Sequence, residues 1–182
     1  MKKAFLFWLF TFATAATYSA SIQWNSAIDF VDSSGNVQTT SDGYTFVLAC
    51  IGDGSGVDYS TAYSNIRSVG NFSYDVGEGI NSIEGLYTLV EGADINGNIY
   101  AVLAKSGNDL FYLDEYGMNG HIGTYTLSGF EDVSSKVAPF DFGNASGNGF
   151  VVGGKVESVP EPTSGLLVLM GLAGLMLRRK HA

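Results

Sequence analysis

One cysteine, Cys50, is all the 182 residues contain. No disulfide can form within the chain, and no multi-cysteine zinc site can be built. Proline is nearly as scarce, at three residues. Nine basic side chains stand against 18 acidic ones, a formal net charge of −9. That balance excludes a protein that meets nucleic-acid phosphates with a basic face. What is present is apolar and flexible. Hydrophobic residues make up 46% and aromatics 13%, too much for a chain disordered throughout. Glycine is abundant, at 24 residues, and the length suits one domain of ordinary size.

The charges are unevenly placed. Lys2, Lys3, Arg178, Arg179 and Lys180 lie near the two ends, whereas every acid falls between Asp29 and Glu161. Residues 21–162 hold four basic and 18 acidic side chains, a net of −14. The first twenty residues read as a secretory signal. Lys2-Lys3 is a basic n-region, Ala4 to Phe12 an uncharged apolar core, and small residues follow from Ala13 to Ala20. Cleavage is expected between Ala15 and Ser21, with Ala15, Ala16 and Ala20 as the small residues around the cut.

The other end has three parts in order. Val159-Pro160-Glu161-Pro162 is a stiff, non-helical approach, because each proline fixes its own φ and restricts the residue before it. Residues 163–177 then form a membrane-spanning helix in this reading, about 22 Å long at 1.5 Å per residue. A bilayer core is roughly 30 Å thick, and snorkelling by long basic side chains with local thinning closes the difference. Arg178, Arg179 and Lys180 follow as stop-transfer charges in the basic tail 178–182. Basic residues beside a span mark its cytoplasmic end, which puts residues 21–158 outside the cytoplasm.

Pro160-Glu161-Pro162, the short apolar run and the basic tail together resemble the PEP-CTERM sorting signal of exported proteins in gram-negative bacteria that make exopolysaccharide. The resemblance covers residues 159–182 only. It implies recognition of Pro160, Glu161 and Pro162 by an exosortase, a membrane-embedded cysteine-type processing enzyme. It further implies passage through the export machinery, a transient single-pass inner-membrane intermediate, and delivery to the cell surface or its polysaccharide matrix. It says nothing of what residues 21–158 do.

Those central residues predict an all-β domain, an antiparallel sandwich or jelly roll flanked by the signal and membrane helices. Ile22-Gln23-Trp24 opens a first strand. Tyr44–Ile51 and Ile99–Ala104 are apolar on both faces, as central strands are. Leu86–Val90, Leu110–Tyr116, Thr124–Phe130 and Phe150–Val156 are shorter strands. Turns are expected at Ser34-Gly35-Asn36, Asn96-Gly97-Asn98, Ser106-Gly107-Asn108 and Asn119-Gly120. Tyr59, Ala62, Tyr63, Ile66 and Val69 recur at helical spacing, predicting a short helix over 58–69.

The chain offers little catalytic chemistry. His121 sits in a turn-like Asn119-Gly120-His121 and reads as an exposed loop residue. The glycines around Ser55 miss the hydrolase elbow pattern, and Cys50 reads as a buried, inert thiol. Asp75, Glu78, Glu84, Asp114 and Glu115 could supply a glycosidase pair, but the sequence selects no two of them. Oxygen ligands alternate in Asp53 to Asp58 and in Asp94, Asn96 and Asn98, as calcium prefers, although Asn96-Gly97 also suits a hairpin between two strands. Trp24 and the nine tyrosines from Tyr44 to Tyr125 could stack sugars or fill a core. The leading expectation is a non-enzymatic surface or matrix protein of structural or adhesive role, without cofactor apart from a weak calcium site. A carbohydrate-binding module of lectin type, with polysaccharide as partner, is the alternative, and a secreted hydrolase the third.

Overall fold

The computed structural model describes residues 20–90, 92–129, 137–143 and 147–158. The signal and its cleavage residues Ala15 and Ala16 lie outside that range, as do the sorting motif, the apolar run and the basic tail. Among the described residues, no helix is long and apolar enough to cross a membrane.

Among the described residues ten strands form two sheets: β1 (Ser21–Ser26), β2 (Thr45–Gly52), β3 (Ile66–Val69), β4 (Asn71–Asp75), β5 (Ile80–Thr88), β6 (Ile99–Ser106), β7 (Asp109–Glu115), β8 (Thr124–Thr126), β9 (Val137–Phe142) and β10 (Phe150–Lys155). One sheet has the order β4-β5-β1-β9, and the other runs β10-β7-β6-β2-β3 with β8 also paired to β6. The all-β sandwich expected from the sequence is therefore present. It is not wholly antiparallel, because β1 pairs β9 in parallel from Ser21 opposite Val137 to Ser26 opposite Phe142.

The alternation of side chains explains both sheets. In β5, Asn81, Ile83 and Tyr87 are buried while Glu84, Leu86 and Thr88 face solvent, the period-two signature of a strand with one wet face. β2 and β6 lack that alternation. Phe46, Leu48, Tyr100, Val102 and Ala104 enter the core between the sheets. Their neighbours Val47, Ala49, Ile51, Ala101 and Leu103 enter a second core on the outer side. A 3-10 helix, Tyr59–Tyr63, supplies Ala62, Tyr59 and Tyr63 to that second core, and Val156 closes it. Burial on both faces is why these two strands read as unbroken apolar runs.

Three expectations need correction. The helix over 58–69 is a single 3-10 turn followed by β3, because the packed outer face of the sheet leaves room for one turn before the chain must pair with β2. The Asn96-Gly97 turn exists but is no hairpin, since β5 and β6 belong to different sheets and the turn carries the chain between them. Strands β3, β4 and β9 have no counterpart in the sequence reading. The Ser106-Gly107-Asn108 turn does join a hairpin, β6 to β7, with Gly107 at φ +58, a conformation glycine adopts without strain.

The excursion from residue 27 to 44 forms no named strand and is held by isolated backbone bridges, Phe30 to Phe150 and Val31 to Val37, together with side-chain hydrogen bonds. Buried Asn81 accepts from the Phe30 amide at 2.9 Å and donates to the carbonyls of Phe30 and Gln38. Phe30 can then stack on Phe150 at 5.4 Å and meet Phe46 edge-on at 5.5 Å. Pro139, in edge strand β9, sits where a missing N–H costs least.

Candidate functional site

The residues named from sequence are mostly occupied with holding the fold. Asp94 is the clearest case. Its Oδ2 accepts from the Tyr87 hydroxyl at 2.5 Å and the Val90 amide at 2.7 Å, and its Oδ1 accepts from the Tyr100 hydroxyl at 2.6 Å. Tyr87 comes from one sheet and Tyr100 from the other, so this carboxylate ties the sheets and the connecting loop together. Asp53 Oδ1 accepts from the amide and hydroxyl of Ser55, which holds the carboxyl below its ordinary range. Asp58 caps the 3-10 helix by accepting from Ser60. Asn98 donates to the Ala93 carbonyl. Among the described residues, no group of three or more His, Cys, Asp or Glu side chains converges on a point.

The carboxylates and tyrosines are dispersed in the same way. Asp75 accepts from the Gly77 and Glu78 amides at its own turn. Asp114 pairs with His121 at 2.5 Å, and the imidazole stacks on Tyr112 with centroids 3.8 Å apart and planes within 7°. Tyr59 meets Tyr112 edge-on at 4.8 Å. His121 is thus exposed, as expected, but it is bridged back to β7 instead of lying free in a loop. Trp24, Tyr44, Tyr87, Tyr100 and Tyr125 pack in or against the main core.

Burial raises the hydroxyls of Tyr87 and Tyr100 far above the usual value near 10, and their hydrogen bonds to Asp94 add to the rise. The folded state keeps protons that the unfolded chain releases around pH 10. Stability is therefore complete below about pH 10 and falls as pH rises above it. The substitution Asp94→Ala strips two hydroxyls and one amide of their acceptor. A loss of about 2–3 kcal/mol is expected at neutral pH, since each stranded buried group costs about 1–3 kcal/mol and water reaches part of this site. Urea denaturation of both forms checks it, and an unchanged midpoint in the variant would refute the tie.

A groove of about 500 Å³ opens at one end of the sandwich. The two segments proposed for calcium meet at its rim, where Gly54 lies so near the Gly97 carbonyl that an added Cβ would sit 3.1 Å from it. Thr61, Asn65 and Arg67 line the groove from the side of the 3-10 helix and β3. Cys50 also lines it and is only partly buried, a correction to the fully buried thiol expected, because β2 ends here and Sγ faces Gly52 O at 3.5 Å.

Arg67 reaches the groove through a register break. Leu48 pairs with Ser68 and Ala49 with Ile66, which leaves Arg67 as the extra residue of a bulge. Bulges re-aim a side chain that regular alternation would point elsewhere. The Arg67 Nε is buried and has no hydrogen-bond partner. Sequence reasoning passed over this residue because a register break leaves no periodic trace. Its one signal was rarity, as one of four basic residues between 21 and 162.

The chemistry of the remaining end is set by its sequence. The amide of Val156 donates to the Leu110 carbonyl at 2.8 Å, and its carbonyl accepts from the Tyr63 hydroxyl at 2.7 Å. Glu157 and Ser158 emerge beside Tyr59 and Tyr112. No curated protein and no solved structure matches the chain. One family model does: residues 158–180, starting two residues beyond that anchor, match the PEP-CTERM protein-sorting motif, which marks an exported protein addressed to an exosortase through a membrane-anchored intermediate.

Proposed function

We propose that residues 21–158 are a non-enzymatic domain delivered to the cell surface or its extracellular matrix, where it has a structural or adhesive role. The observation that carries this reading is the junction. Among the described residues the last buried one is Val156, and the matched motif begins at Ser158. Cleavage beside Pro160-Glu161-Pro162 would remove the apolar run while leaving every described strand and core side chain in place. The freed domain, strongly acidic, stays dispersed by self-repulsion. The groove, with one guanidinium and several amide and hydroxyl groups, suits binding better than turnover.

Intact-mass measurement of the protein on the producing cell tests the reading. The mature chain is expected to end near Glu161 and to lack Leu166 to Ala182. In a strain without the exosortase, the full-length tail should be retained in the membrane fraction. Intact Leu166 to Ala182 on the wild-type surface form would overturn it and leave a permanently anchored protein.

A further inference from the structure

We infer that the end groove is a binding site for a hydroxylated carboxylate, a uronate unit of a saccharide, held by Arg67. The described residues include three basic side chains, and two of them are accounted for. Lys105 donates to the Gly107 carbonyl, and Lys155 pairs with Asp109 at 2.8 Å. Arg67 has no carboxylate within ion-pair distance among the described residues, and its Nε is buried without an acceptor. An orphaned buried N–H of a charged group opposes folding by more than a neutral one does. The bulge turns Arg67 into this groove, where an ion-pair partner for its guanidinium has to come from outside the described residues.

The planar fork of a guanidinium matches a carboxylate bidentately. The other groove walls narrow the class further. Thr61, Asn65 and Asn98 offer neutral donors and acceptors, and Asp53 and Asp58 stand on the same rim with carboxylate oxygens that accept from hydroxyls. A bare anion would meet those two carboxylates unfavourably. A ring that carries its carboxylate on one side and hydroxyls on the other satisfies both kinds of wall. Among the described residues no aromatic side chain lines the groove, so recognition rests on polar contacts and not on stacking. The volume lies within the range of ligand sites, about 300–1,000 Å³. This assignment does not depend on how the tail is processed.

Titration calorimetry on the detergent-solubilised full chain provides the test, with an oligoglucuronate and the matched neutral glucose oligomer as probes. The uronate is expected to bind at least tenfold more tightly than the neutral oligomer. In Arg67→Met that preference should vanish, while Arg67→Lys should retain part of it. The variant's urea midpoint separates ligand binding from a structural role, since removing an orphaned guanidinium should leave stability equal or higher. Alkylation of Cys50 in the same groove should slow when the uronate is present and not when the neutral oligomer is. Equal affinity for the two probes, no binding of either, or an unchanged preference in Arg67→Met would overturn the assignment. So would a fall in the Arg67→Met midpoint with probe affinity intact.

Discussion

Replacement of Pro160, Glu161 and Pro162 together by alanine is expected to leave the chain uncut and membrane-bound, with surface recovery of the domain reduced to background. The matched motif spans residues 158–180, and these three are its only prolines and its only acid. Proline disfavours helix by about 3 kcal/mol relative to alanine, so the native segment resists winding into an extension of the apolar run. Three alanines remove that resistance, and they remove the acid as well. The folded domain should be untouched, because its last anchors are the Val156 contacts to Leu110 and Tyr63. Fractionation followed by intact-mass analysis distinguishes the outcomes. Release at the wild-type level would show that recognition resides elsewhere in the tail.

Trp24→Ala should be the most damaging single change in the domain. Trp24 is completely buried, and its indole N–H donates to the Ser68 hydroxyl at 2.9 Å, joining β1 of one sheet to β3 of the other. Gly70 and Gly85 lie directly on the ring, so close that a Cβ at either would collide with it. Backbone approaching from two sides cannot easily collapse into the vacated space. The cavity term should therefore be near its upper limit, and truncation of a buried tryptophan costs about 3–5 kcal/mol. Against a total stability of about 5–15 kcal/mol, that removes a large share of the margin. The urea midpoint read by circular dichroism measures the effect, since Trp24 is the only tryptophan outside the signal segment and its fluorescence goes with it. A loss below 1 kcal/mol would mean that the surrounding glycines do close the gap.

How far the sequence discloses this molecule depends on the range of the interactions. β2 and β6 were legible because both their faces are buried, which writes an unbroken apolar run into consecutive residues. The hairpin at Gly107 was legible because its chemistry is local. β9 was hidden by Pro139, which argues against a strand unless that strand is known to lie at an edge. β4 alternates Phe72 and Tyr74 with polar residues, but five residues between two turns make a faint pattern. The structural role of Asp94 was hidden for a deeper reason. Its turn-like neighbours suggested a cation, whereas its partners Tyr87 and Tyr100 are brought to it by two different sheets. Arg67 was invisible because a bulge exists only once two strands are paired. The sorting motif was legible because it is written in composition and order alone, and the match over residues 158–180 agrees with it.

The position of β1 has a kinetic consequence. It is the first strand of the domain to emerge from any export channel, yet it lies inside its sheet, between β5 at residues 80–88 and β9 at 137–142. Sixty to more than a hundred residues separate it from its partners, so the sheet has high contact order, and loop-closure entropy must be met before those contacts form. While the chain is still threading, Trp24 has neither β5 nor β9 to pack against and the main core cannot close. The topology delays folding until nearly the whole domain has crossed, and it keeps a chain bound for export in a form that can still be threaded.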